Sequence, residues 1–251
     1  MTVKQVAVTG AGRGIGKAIA QKFLASGWRV WALARKAEAI EPLKSLGDVH
    51  FVPFDATSEG SVLEAAKRLT TDAGHLACLV NNAGIALSAP LHKTTTDDFA
   101  RIMMVNVTTP FLLCRELSGA MVKAGHGRII NIASTAAKKG FRYTSAYCAS
   151  KHALLGLTRS LALELAPRGV TVNAVCPGWT ETDMLSASIE KISQTTGRST
   201  AEAKDALVQM NPLKRAVKPE EVAELTWFLG ANDGAAAITG ADYVIDGGET
   251  T

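Results

Sequence analysis

Gln5-Val6-Ala7-Val8-Thr9-Gly10-Ala11-Gly12-Arg13-Gly14-Ile15-Gly16 opens the chain, and an amphipathic pattern follows from Lys17 to Ala25. The first five residues are a short β-branched run, so the order is strand, glycine turn, helix. A turn of this kind lets backbone approach a pyrophosphate, which then sits at the positive end of the helix. The spacing is G-x-x-x-G-x-G rather than the common G-x-G-x-x-G, although Gly12 adds a further small residue. The physical need is the same, and Gly10, Arg13, Gly14, Ile15 and Gly16 are the expected dinucleotide contacts.

The rest of the 251 residues continues the alternation. Strands are expected at Arg29 to Ala34, Val49 to Phe54, Leu76 to Val80, Arg128 to Ala133, Val170 to Val175 and Tyr243 to Ile245. Helices are expected at Glu38 to Ser45, Ser61 to Thr71, about Thr96 to Lys123, from Ser145 to Leu165, and at Pro219 to Leu229. Strands that read as nearly continuous apolar runs, separated by helices, imply a parallel sheet covered on both faces. The expected fold is α/β, a Rossmann-like, doubly wound parallel sheet. No repeat, low-complexity segment or linker divides the chain, so residues 1–251 form a single domain. A long insertion at 183–215 mixes Met184, Leu185, Ile189 and Ile192 with Lys191, Arg198 and Lys204, and it is expected to be a substrate lid.

Composition excludes several classes. A net charge of +4, from 27 Lys and Arg against 23 Asp and Glu, is dispersed without blocks, so no nucleic-acid or membrane partner is indicated. Four cysteines, Cys78, Cys114, Cys148 and Cys176, lack CxxC spacing and suggest neither a metal site nor a disulfide framework. With no signal-like N-terminus and no apolar run of about 18 residues, a cytoplasmic protein is expected.

The end of the second strand bears on the cofactor. An acidic residue there would accept the ribose 2'-hydroxyl of NAD, but the run is Leu33-Ala34-Arg35-Lys36. Arg35, aided by Arg13, could instead pair with a 2'-phosphate through parallel hydrogen bonds. NADP(H) is therefore preferred, with NAD(H) left open.

Further along, Ser145-Ala-Tyr147-Cys-Ala-Ser-Lys151 sets a phenol and an ammonium four residues apart on one helical face. Bringing a phenol from a pKa of about 10 to about 7 needs roughly 4 kcal/mol. One cation about 4 Å away at an effective dielectric near 20 supplies a term of that order. Asn106 stands inside the apolar run Ile102 to Val107, where an amide competes with the helical ladder and a kink is the plain account. Ser134, after the strand ending Ile132-Ala133, could cap a turn or hold a carbonyl.

Thr9-Gly10-x-x-x-Gly14-x-Gly16, Asn81-Asn82-Ala83-Gly84, Asn106, Ser134, Tyr147-x-x-x-Lys151 and Pro177-Gly178 together resemble the classical short-chain dehydrogenases/reductases. The likeness runs to Ile238-Thr239-Gly240-Ala241-Asp242, nearly the whole chain. It implies that Tyr147 exchanges a proton with the substrate oxygen while hydride moves between nicotinamide and carbon. It also implies that Lys151 holds the nicotinamide ribose and lowers the Tyr147 pKa, that Ser134 orients the carbonyl, and that Asn106 positions a water linking Lys151 to solvent. By the same likeness Asp55 and Ala56 would lie at the adenine, although Asp55 could equally cap the helix starting near Thr57. Asn82, Ala83 and Gly84 would neighbour the cofactor, Asn81 would tie strands together, and Pro177, Gly178, Thr180 and Thr182 would meet the nicotinamide end.

Within that family the pattern looks most like the 3-oxoacyl reductases and 3-hydroxyacyl dehydrogenases. Ile85, Leu87, Phe141 and Tyr143 would wall an apolar pocket for a small-molecule ketone, alcohol or acyl thioester. Arg128 and Arg168 fall where carrier-protein reductases place basic residues for an acidic carrier. The family likeness also suggests a homotetramer. The alternatives are an NAD(H)-preferring alcohol or hydroxyacyl dehydrogenase, a catalytically dead dinucleotide-sensing protein, and a sugar-nucleotide epimerase or dehydratase.

Overall fold

The computed structural model describes residues 3–209 and 211–251. Seven strands form one sheet: β1 (Gln5–Thr9), β2 (Arg29–Ala34), β3 (Val49–Pro53), β4 (Cys78–Asn81), β5 (Gly127–Ile132), β6 (Val170–Pro177) and β7 (Asp242–Ile245). Their order is β3-β2-β1-β4-β5-β6-β7, and every neighbouring pair is parallel. The helices are α1 (Gly14–Ala25), α2 (Glu41–Lys44), α3 (Glu59–Asp72), α4 (Thr96–Met103), α5 (Thr109–Ala124), α6 (Ser145–Leu165), α7 (Asp183–Thr196), α8 (Thr200–Val208) and α9 (Pro219–Ala231). The doubly wound, single-domain Rossmann fold expected from the alternation is the fold observed.

The two-residue period of the strands divides the apolar side chains between two cores. Val6, Val8, Val30, Ala32 and Ile130 face Ile19 and Phe23 of α1 and Val222 and Leu229 of α9. Their neighbours Ala7, Trp31, Leu33, Leu79 and Ile129 face α3, α5 and α6 through Val62, Leu69, Leu113, Leu117 and Leu165. The connections run outward from β1 on one side and from β4 on the other. This reversal leaves a crevice beyond the strands' C-terminal ends, and the loops carrying the candidate residues meet there.

Two elements differ from the sequence reading. The helix expected at Glu38 to Ser45 is a 3₁₀ turn at Ala37–Ala39 followed by the single-turn α2, because Pro42 lacks an N–H and fits only a helix start. The long helix expected at about Thr96 to Lys123 begins with a Thr95–Asp98 capping box but opens into a π-turn at Met104–Thr108 before α5. Pro110 removes a donor from the ladder there, and the buried Asn106 side chain is turned to other partners. Within the insertion at 183–215, α7 and α8 pack Leu185, Leu207 and Val208 into a small core with Ala216, Trp179, Ile189 and Ile192. A paired Arg215–Glu221 bridge, at 2.6 and 2.7 Å, secures its far end and holds the Glu221 carboxyl down to about 2.

Candidate active site

The glycine turn is locked from three sides. Gly10 N–H donates to Leu33 O at 2.8 Å, joining the turn to β2. Thr9 Oγ1 accepts from the N–H groups of Asn82 and Ala83, and Asn82 Nδ2 donates to Thr9 O, so the loop after β4 is tied to the end of β1. A Cβ at Gly16 would lie 2.3 Å from Gly10 O and 2.4 Å from Asn82 Nδ2, which only glycine avoids. Gly10 and Gly14 adopt φ of +68° and +50°, the left-handed region that glycine enters without strain. The N-cap Arg13 gives α1 no side-chain cap, and no acidic residue lies in its first turn. The helix therefore presents N–H groups and a positive end without competition, a fit for a diphosphate.

At the adenosine end, Arg35 is exposed after β2. Arg13 is exposed too but has a partner, Asp183 Oδ2 at 3.4 Å, where α7 begins. Asp55 does not cap a helix: its Oδ1 accepts from Thr57 N–H at 2.9 Å and Oγ1 at 2.8 Å, while Ser58 caps α3. Those two bonds, and then the charges of Arg35 and Arg101, hold the Asp55 carboxyl below its usual range. Ala56 accepts from Thr109 Oγ1 at 2.9 Å, fixing this loop to α5.

Ser134, Tyr147, Lys151 and Asn106 come together at the crevice. Ser134 leaves β5 in extended backbone and its hydroxyl accepts from Ala136 N–H at 3.1 Å, so it does cap a 3₁₀ turn. It also lies close enough to the partly buried Tyr147 phenol to act against the upward shift that burial gives it. Lys151 is 4% exposed, donates to Ile132 O at 2.9 Å, and sits 5.7 Å from the Tyr147 ring centre. Asn106 accepts from Ile85 N–H and donates to Ile85 O and to Ser150 Oγ, all near 3 Å, and Ser150 Oγ donates to Tyr147 O at 2.7 Å. The kink expected at Asn106 is observed as the π-turn, and its side-chain amide is taken up by Ile85 and Ser150. Gly84 leaves room beside both groups: a Cβ there would lie 3.4 Å from Asn106 Oδ1 and 3.6 Å from Lys151 Nζ.

One electrostatic expectation is corrected. Lys151 is expected to lower the Tyr147 pKa, but burial pushes the phenol up, with the neighbouring Ser134 hydroxyl opposing it. Burial also brings Lys151 down to about 8, because an ammonium loses its hydration there.

Beyond β6, Gly178 N–H donates to Ile245 O, Thr180 Oγ1 to Gly178 O and Thr182 Oγ1 to Thr180 O, at 3.0, 3.0 and 3.2 Å. This ladder carries the chain from Pro177 to the start of α7, where Thr182 packs on Gly14. On the substrate side Ile85, Leu87 and Phe141 are partly buried and Tyr143 is exposed. Tyr143 holds a φ of +64°, and its carbonyl accepts from Ala89 N–H at 2.7 Å. Asn81 does tie strands together, donating to Asn131 Oδ1 of β5 at 2.9 Å. Cys148 is buried against Thr144. Arg128 is not a surface cation: it is 7% exposed and donates to Gly127 O at the opposite end of β5, whereas Arg168 is exposed. The sequence reading missed the clamping roles of Thr9 and Ser150, both polar residues inside the quoted motifs.

The model of a family described as Enoyl-(Acyl carrier protein) reductase matches residues 10–250. The chain belongs to the short-chain dehydrogenases/reductases. As a member of that family it is an oxidoreductase. It is 38% identical to an uncharacterized oxidoreductase, YxjF, of Bacillus subtilis, with 98% of each chain covered. It is 35% identical to an acetoacetyl-CoA reductase of Shinella zoogloeoides, with 96% of each covered. Among solved structures, a variant actinorhodin polyketide ketoreductase with NADPH is 36% identical and superposes with a TM-score of 0.92 over 99% of this chain and 98% of that one.

Proposed function

We propose that this short-chain dehydrogenase/reductase is an NADP(H)-dependent ketoreductase that interconverts a carbonyl and a secondary alcohol, with a 3-oxoacyl thioester or related ketone as substrate. The observation that carries the reading is the Ser134–Tyr147–Lys151 cluster set beside an uncapped α1 N-terminus, with Arg35 where an NAD-binding carboxylate would stand. Acetoacetyl-CoA and ketoacyl reductases among the relatives, and a neighbour holding NADPH, support the same choice.

The residues divide the work. Gly10, Gly14, Ile15 and Gly16 offer backbone to the diphosphate, Arg35 and Arg13 meet the 2'-phosphate, and Asp55 and Ala56 border the adenine. Asn82, Ala83, Gly84, Pro177, Gly178, Thr180 and Thr182 line the remaining length. Bound NADPH would supply the hydride. Ser134 donates a hydrogen bond to the carbonyl and fixes its orientation. Tyr147, kept in its phenol form by burial, donates a proton to the oxygen. Lys151 would hold the nicotinamide ribose, and Asn106 holds the loop through Ile85.

In this reading 183–215 acts as a lid: Lys191 Nζ on α7 donates to Ser88 O across the crevice, and Arg13 meets Asp183 on its other side. Apolar side chains on the outer faces of α5 and α6, Phe111 at 42% and Leu163 at 82% exposure, support assembly into a homotetramer. Among the described residues no helix is long and apolar enough to cross a membrane, and the four cysteines are free, which supports a cytoplasmic setting.

The test is NADPH and NADH oxidation across acetoacetyl thioesters, simple ketones and enoyl thioesters. NADPH-dependent turnover fastest with the 3-oxo thioester is expected. Turnover of enoyl thioesters alone would overturn the ketone assignment, and binding of NADPH without any turnover would replace it with the dinucleotide sensor.

A further inference from the structure

Glu249 is the most conspicuous ionisable group that the proposed chemistry leaves unused. It lies in the turn after β7 with a side chain 0% exposed, and neither carboxylate oxygen has a hydrogen-bond partner among the described residues. Leaving a carboxylate in that state is costly, and a buried orphan of this kind calls for an explanation. Its surroundings supply one.

Three substrate-side segments converge on this turn. From the loop between β5 and α6, which carries Ser134, Lys139 Nζ donates to Glu249 O at 2.9 Å and stands 3.5 Å from Oε1 without a hydrogen bond to it. From the turn after β6, Gly178 approaches so closely that a Cβ there would be 2.9 Å from Asp246 Cβ and 3.2 Å from Glu249 Oε2. From the end of the insertion, Pro212 and Leu213 pack on Gly248 and Gly247. Asp246 is fully occupied, accepting from Gly248 N–H, Thr250 N–H and Thr250 Oγ1 at 2.8 Å each, so it braces the turn and offers Glu249 nothing.

We infer that Glu249 is a positioning residue for the reduction, acting through Lys139 on the loop that carries Ser134 and through Gly178 on the turn that borders the nicotinamide end. The inference rests on the ketoreductase reading. Ionised Glu249 adds its charge to the bond that its backbone carbonyl makes with Lys139 and fixes the loop; protonated Glu249 leaves only that one bond, and Lys139, 36% exposed, is freer to turn to solvent. The charged groups facing Glu249 are Lys139 from the loop and Asp246 from its own turn; Gly178 presents no titratable group. Burial, with Asp246 adding to it and Lys139 opposing, pushes the Glu249 carboxyl above its usual range. Activity should therefore fall as acid protonates it.

Glu249→Gln keeps the shape and removes the charge. The expected result is a loss of about tenfold in kcat/KM for the ketone at neutral pH, as a small misplacement of a reacting group produces. NADPH affinity should stay within about twofold, since the diphosphate turn is elsewhere. The acid limb of the wild-type kcat/KM profile should vanish, and the thermal midpoint at neutral pH should be unchanged or raised, because the variant no longer buries a charge. A residue that merely held the fold would lower the midpoint and leave the profile's shape intact. Lys139→Gln is the second arm: it should reproduce the loss, and the double variant should be no worse than either single one. Wild-type rates in Lys139→Gln, or an unaltered acid limb in Glu249→Gln, would overturn the inference. Absence of ketone turnover by the wild-type protein would overturn the ketoreductase reading, and this inference with it.

Discussion

The side-chain amide of Asn106 grips Ile85 by both of its backbone groups, accepting from the N–H and donating to the carbonyl at 2.9 Å each. One residue in the π-turn between α4 and α5 thereby fixes the loop after β4, and through Ser150 it reaches the backbone of Tyr147. The π-turn breaks a long helix so that this amide can leave the helical ladder and serve the crevice.

Asn106→Asp tests that grip. The carboxylate keeps the size but puts an acceptor against Ile85 O and Ser150 Oγ, orphaning buried groups. A loss of about 1–3 kcal/mol in urea unfolding is expected, together with a fall in kcat. Unchanged stability would show that the Ile85 contacts carry little energy.

Arg35→Asp tests cofactor choice. A charge-assisted contact of about 1.5–3 kcal/mol corresponds to roughly a ten- to hundredfold change, so NADPH affinity should fall by that factor while NADH affinity holds or improves. Fluorescence titration reads both. Arg13→Ala should cost less, because Arg13 also faces Asp183.

Gly16→Ala and Gly119→Ala make a contrasting pair. A methyl at Gly16 meets Gly10 O and Asn82 Nδ2, so the turn must shift and NADPH binding should be lost. A methyl at Gly119, in α5, meets nothing within 4 Å, and the protein should gain up to about 1 kcal/mol from helix propensity. Titration calorimetry and urea unfolding separate the two.

Lys151 gives a pH signature. Burial brings its pKa from 10.5 to about 8, so folding favours the neutral amine. Its contribution to stability is complete above 10.5 and is lost as pH falls through about 8. Relative to Lys151→Met, the wild-type protein should therefore unfold at higher urea at pH 9.5 than at pH 7. A pH-independent difference between the two would contradict a depressed lysine.

Much of this was legible in the sequence because the residues that make the fold are local. Strand periods, the glycine turn and the Tyr147–Lys151 spacing are each settled within a few residues. Asn106 announced itself as an amide in an apolar run, yet its partners Ile85 and Ser150 are 21 and 44 residues away, so only the structure shows what it holds. Short-range competition explains the single-turn α2 and the π-turn, where Pro42 and Pro110 outweigh an otherwise helical pattern. The Tyr147 electrostatics were misread because spacing reports the nearness of Lys151 but not the desolvation both groups suffer. Glu249 gave no signal at all, since its burial is set by Gly178 and Lys139, both far from it in sequence.

The central claim is that Tyr147 protonates a carbonyl to which NADPH delivers hydride. The most direct measurement is incubation of the protein with NADPH carrying deuterium at both nicotinamide C4 positions and a 3-oxoacyl thioester, with the product alcohol read by mass spectrometry. The account predicts one deuterium at the carbinol carbon from the wild-type protein and a loss of at least about a hundredfold in its formation by Tyr147→Phe, with NADPH still bound. Deuterium transfer undiminished in Tyr147→Phe, or none from a wild-type protein that binds NADPH, would contradict it.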